Sequence, residues 1–165
     1  MRWRTGRFRA TATIARMFDE YSRDELRRAY VEAWRRHVAG LPLSALQALI
    51  ANVLSVHPEY HALLQSAEAA VGFEAHQAPG APHANPFLHL GLHVAVREQI
   101  GLDRPPGLLE PYRRLVARLG THGAEHVLMD ALEKELAQAQ ASGRAPDEAA
   151  YVNRVREAAD TRSPG

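Results

Sequence analysis

Three histidine pairs at i, i+4 stand out in this chain: His57/His61 in HPEYH, His89/His93 in HLGLH and His122/His126 in HGAEH. On a helix such a pair points two imidazoles the same way, one turn apart, a spacing at which both can ligate one metal ion. Nine histidines scattered at random over this length would give about half of one such pair when counted against an i, i+4 template. Six of the nine are patterned, so the pattern points to metal. The third pair also encloses a carboxylate, Glu125.

Helical phase decides which of these side chains face a core. Along the HLGLH segment, His89 and His93 fall in one stripe with Leu92, Val96 and Ile100, so both imidazoles are expected inward, and small residues (Gly91, Ala95) line the back of the same helix. This helix is expected to be central. If the phase of Leu46, Ile50 and Val53 survives Pro58, it carries His57 and His61 inward and turns Glu59 outward. In the third segment the stripe of Leu128, Met129, Leu132 and Leu136 is centred where Glu125 projects, with His122 and His126 flanking it. A carboxylate in a core position binds a cation, pairs with a charge or stays protonated. Glu125 is thus a candidate metal ligand and catalytic base. His37 is expected inward as a hydrogen-bonded core residue, and His76 and His83 in a loop.

The elements that must hold these residues are helical. Ser22 with Glu25 forms a capping box opening a helix that stops near Gly40. A second helix starts near Ser44 and runs to Pro58, where it kinks or restarts with His57 near the N-cap. Residues 72–85 are rich in glycine and proline and are expected as the long loop. Asn85 and Pro86 supply the N-cap and first position of a third helix ending by Gly101. Residues 108–119 form a fourth, ended by Gly120; residues 121–141 a fifth, before Gly143; and Asp147 caps a sixth reaching about residue 160. No β-branched alternation marks a strand. The expected fold is an all-α, single-domain bundle of five to six helices over residues 17–160, with a disordered end at 161–165.

Composition narrows the chemistry. The chain of 165 residues has no cysteine, which removes disulfides, thiolate zinc sites, iron-sulfur clusters and thiol catalysis, so any metal is held by nitrogen and oxygen. Residues 1–16 carry five arginines and no acid, whereas the remainder has a balance of −4. That segment is expected to be a disordered basic tail or to lie upstream of a natural start at Met17. No apolar run is long enough to span a membrane, so a soluble protein without a membrane partner is expected. The slightly acidic remainder has no basic-aromatic stripe for sequence-specific nucleic-acid recognition.

Three resemblances follow from these motifs. HGAEH matches the H-x-x-E-H letters of the inverted zinc peptidases, but only 39 residues follow His126, too few for the downstream acidic ligand and substrate domain of that class. Inward histidine pairs on successive helices resemble the hemerythrin-like and di-iron helical bundles, although the H-x-x-x-E and H-x-x-x-x-D patterns are missing. The order HPEYH, NPFLHLGLHVAVREQ, DRPPG, HGAEH and PDEAAY, from Met17 onward, resembles the bacterial domain-of-unknown-function family 1841. That resemblance implies an all-helical, cytoplasmic bacterial protein and assigns no activity.

Two function classes remain. In one, His57, His61, His89, His93, His122, Glu125 and His126 supply a site for iron, zinc or manganese that acts on oxygen, peroxide or a small hydrolysable substrate. In the other, the same residues are a structural polar network inside a non-enzymatic interaction module, which could self-associate as a homo-oligomer.

Overall fold

The computed structural model describes residues 22–73 and 85–161. The basic segment 1–16, the proposed start at Met17 and the loop histidines His76 and His83 lie outside those residues. Among the described residues there is no strand, and six α-helices carry the fold: α1 (Arg23–Val38), α2 (Ala45–Ser55), α3 (Ala67–Gly72), α4 (Pro86–Leu102), α5 (Leu109–Ser142) and α6 (Glu148–Asp160). The all-α expectation holds. Contacts divide the described residues into two compact units, those up to Val94 and those from Ala95 onward, with the boundary inside α4. None of the described helices is long and apolar enough to cross a membrane.

In the first unit, side-chain caps set where helices begin. Ser22 Oγ accepts from the Glu25 amide while Glu25 accepts from the Ser22 amide, and Ser44 and Gln47 repeat this exchange at α2, satisfying amides that the first turn leaves without partners. The inner face of α1 contains Tyr30, Val31 and Ala33, and that of α2 Ile50, Ala51, Val53 and Leu54. Arg27 is buried among them. Its Nη1 donates to the Val71 and Phe73 carbonyls at 2.8 Å each, and its guanidinium lies 4.7 Å over the Phe87 ring. One charged side chain thereby ties α1 and the end of α3 to the first turn of α4, immediately before His89.

The structure decides one alternative in this unit and corrects one expectation. Of the two alternatives at Pro58 the restart is found: α2 ends at Ser55, and 3-10 turns follow at Pro58–Tyr60, with His57 at the N-cap, and at Ala62–Leu64. Proline disfavours the α region for the residue before it, and His57 accordingly sits at φ −126°, ψ 64°. The helical phase is lost there. His37, expected inward, is exposed in the last turn of α1, with its ring 5.3 Å from Trp34. The short helix α3, capped by Ser66 Oγ on the Ala69 amide, was not expected either, because six residues are too few to show a period.

Helix α4 starts as its sequence implies, with Asn85 Oδ1 accepting from the Phe87 and Leu88 amides. From Pro86 to Val96 every residue except Leu88 is buried, so the central position expected for this helix is found.

In the second unit, α5 is broken at Gly120, whose φ of 72° and ψ of 170° lie in a region open essentially to glycine alone. The expected division of 108–141 into two helical segments is therefore present. Gly143 ends α5 in the left-handed conformation, and Asp147 caps α6 through the Ala149 and Ala150 amides. Buried polar groups lock α5 and α6 together. Glu135 accepts from Arg154 Nη1 and from the Asp147 amide, both at 2.7 Å, while Tyr151 joins α6 to the end of α4 by donating to Gln99 Oε1 at 2.8 Å. The Arg118 guanidinium donates to the carbonyls of Ala158, Ala159 and Thr161, which would otherwise be orphaned at the end of α6.

Backbone conformation separates two glycines. Gly120→Ala is expected to lose about 1–3 kcal/mol although its added Cβ meets nothing within 4 Å. Gly101→Ala, equally open but without a positive φ in α4, is expected to gain about 0.5–1 kcal/mol. Urea denaturation of both variants checks the opposite signs.

Candidate metal centre

Three of the candidate residues come together inside the first unit. His57 arrives from the non-helical residue before Pro58, and His89 and His93 from one face of α4. All three are buried, at 2%, 3% and 0% exposure. Ring centroids are 4.9 Å apart for His57 and His89, 4.7 Å for His57 and His93, and 4.8 Å for His89 and His93. One nitrogen from each lies within 4.8 Å of the others. An ion about 2.1 Å from each nitrogen needs those nitrogens about 3.4 Å apart.

The surroundings of His57 favour ligation. A carboxylate only accepts, so the 2.7 Å contact between His57 Nδ1 and Glu59 Oε1 places a proton on Nδ1 and leaves Nε2 as the nitrogen that can ligate. Tyr60 stacks on the His57 ring at 5.5 Å and meets the edge of His89 at 6.0 Å. Burial, with a smaller push from the Glu59 charge, raises the Tyr60 phenol above its ordinary range. At neutral pH it is uncharged.

His61, the partner of His57 in the i, i+4 pattern, is not brought to this cluster. Its Nε2 donates to the Leu54 carbonyl at 2.8 Å, and its ring lies 4.1 Å from that of Trp34. The loss of helical phase at His57 explains this, because the two residues no longer sit one helical turn apart on a common face.

The second unit holds the other candidates on α5. His122 is exposed and His126 half-buried, with ring centroids 4.4 Å apart. Glu125 is 2% exposed and faces inward beside Leu128, Met129 and Leu132, as the helical pattern required; Leu136 is half-buried. His122 and Glu125 bring donor atoms within 4.8 Å of each other. Arg97 supplies what the sequence did not identify. Its Nε and Nη2 donate to the two Glu125 oxygens at 2.9 and 3.1 Å, a bidentate pair that meets the cost of burying the carboxylate. Tyr112 lies near this pair; burial first, and the Glu125 charge second, raise its phenol, against a smaller opposing effect of Arg97.

Other buried polar residues also escaped notice. Glu135 and Gln99 occupy inward helical positions, but the partners that identify them, Arg154 and Tyr151, lie 19 and 52 residues away. No local spacing announces such pairs. Glu59 carried a fainter signal, an acid two residues after a histidine across a proline.

Comparison with known proteins gives one match. Residues 22–157 fit a protein family described as a domain of unknown function (DUF1841). No curated protein and no solved structure matches the chain.

The Arg97 pair generates an expectation about stability. Glu125→Gln removes one charge and leaves a guanidinium that is 18% exposed facing a neutral amide, and should cost about 2–4 kcal/mol. Replacing both partners, Arg97→Met with Glu125→Leu, should return to within about 1 kcal/mol of the parent. Urea titration of the single and double variants measures the difference; equal losses in both would show that Arg97 is not what stabilises Glu125.

Proposed function

The chain belongs to the DUF1841 family, whose description assigns no activity, and from its own residues we propose a metal-dependent protein whose ion is held by His57, His89 and His93. The observation that carries this reading is the convergence of three buried imidazoles, two from one helix and one from a separate turn. Three neutral nitrogens and no thiolate suit zinc or iron better than manganese, which favours oxygen donors. Bound there, either metal would supply Lewis-acid chemistry. The protein's own part is to exclude water from the imidazoles and hold them in place. Iron held there would suit oxygen or peroxide as substrate, and zinc, which has no redox chemistry, a small hydrolysable one.

A second reading has an observation of its own. The Arg97–Glu125 pair shows an inward carboxylate on α5 engaged by a protein cation, which favours a structural polar network in a non-enzymatic helical module.

Elemental analysis and melting separate the two. The metal reading expects stoichiometric zinc or iron in purified protein. A ligand present at about 100 times its dissociation constant stabilises by about 2.7 kcal/mol, so a chelator should lower the melting temperature by about 5–10 °C. His93→Ala should weaken metal affinity by more than about 10-fold, the scale on which even outer-shell changes act, while exposed His37→Ala should not. Protein that takes up no metal and melts identically with chelator would leave the structural network as the explanation.

A further inference from the structure

The HPEYH turn does more than deliver a histidine. Glu59 Oε1 accepts the Nδ1 proton of His57 at 2.7 Å, while the Glu59 side chain is 55% exposed and the His57 side chain 3%. The contact spans two residues of a 3-10 turn that begins at Pro58. Pro58 sets the turn, Glu59 engages one edge of the imidazole, and Tyr60 covers its face. The ring is held from two directions.

We infer that Glu59 is the positioning residue of the three-histidine site, fixing the His57 tautomer so that the buried Nε2 faces the bound ion. This rests on the metal reading above and specifies how it is organised. Three features support it. A carboxylate on the remote nitrogen of a ligating histidine raises the donor strength of the nitrogen that binds metal, and orients the ring. His57 needs such a device more than its partners do, because His89 and His93 are oriented by a continuous buried helix, whereas His57 lies outside the α conformation at φ −126°. Finally, the Glu59 side chain is 55% exposed, so its carboxylate reaches the buried ring without the full cost of burial.

The test uses the full chain and zinc alone as probe. Zinc affinity is measured by competition with a chromophoric chelator for the parent, Glu59→Ala, Glu59→Gln and, as a charge-matched control on an exposed position of α5, Glu133→Ala. Loss of an outer-shell carboxylate weakens metal binding by about 10- to 100-fold. That loss is expected for Glu59→Ala, with Glu59→Gln between it and the parent because an amide oxygen still accepts the Nδ1 proton, and no change for Glu133→Ala. Nitrogen NMR of metal-free protein gives a second readout. His57 should be the Nδ1–H tautomer in the parent and a mixture in Glu59→Ala. Parent-like zinc affinity in Glu59→Ala, or a His57 protonated on Nε2 in the metal-free parent, would overturn the inference and leave the metal site standing. A parent chain that takes up no zinc or iron would overturn the site itself, and the positioning role with it.

Discussion

The burial of α4 is the constraint on which the arrangement depends. A helix covered on nearly every side from Pro86 to Val96 offers its side chains no water, so each polar group on it must find a protein partner or a ligand. His89 and His93 are those groups, and both lie on a helix whose backbone hydrogen bonds leave no freedom to turn them out. The rest of the first unit serves that position. Arg27 secures the start of α4 through Phe87, Tyr30 and Phe73 pack edge-on against the same ring, and the HPEYH turn brings a third imidazole and an aromatic cover. In a helical interior of aliphatic side chains such a cluster is costly.

Much of this was legible in the sequence, for reasons that are local. Capping residues announce helix starts because a serine or asparagine oxygen satisfies amides two or three positions on, and Ser22, Ser44, Asn85 and Asp147 all do so. Glycine announces stops because Gly120 and Gly143 take up backbone angles that other residues resist. Inward placement of His89, His93 and Glu125 could be read because each lies within an unbroken run of helix, where the period of about 3.6 residues carries phase reliably. His57 was placed inward by that same reasoning, yet it is buried for another cause: the turn at Pro58 delivers it, and the helical phase assumed for it ended at Ser55.

What could not be read is what depends on distant partners or on short, irregular backbone. Arg97 lies 28 residues from Glu125, and no periodicity couples two positions on different elements. The 3-10 turns after Ser55 and the single-turn helix α3 are too short to impose a pattern. Glu59 is the instructive case. Its exposure was foreseen, and exposure alone suggested a solvated side chain, whereas its carboxylate is oriented back onto a buried ring two residues earlier. A half-exposed acid can still engage a buried ring through one oxygen.

The three i, i+4 pairs therefore reach three different ends. In α4 the helix is continuous and covered, so spacing and burial coincide and both imidazoles enter the core. In HPEYH the proline divides the pair, sending His57 to the cluster and His61 to the Leu54 carbonyl and Trp34. In HGAEH the intervening Glu125 takes the inward position and His122 stays exposed. This division is what makes the first cluster suitable for an ion. Two histidines one turn apart on a single helix supply donors along one line, and a line cannot surround a metal. The third donor has to come from a separate backbone direction, which the break at His57 supplies and an uninterrupted helix through HPEYH would not.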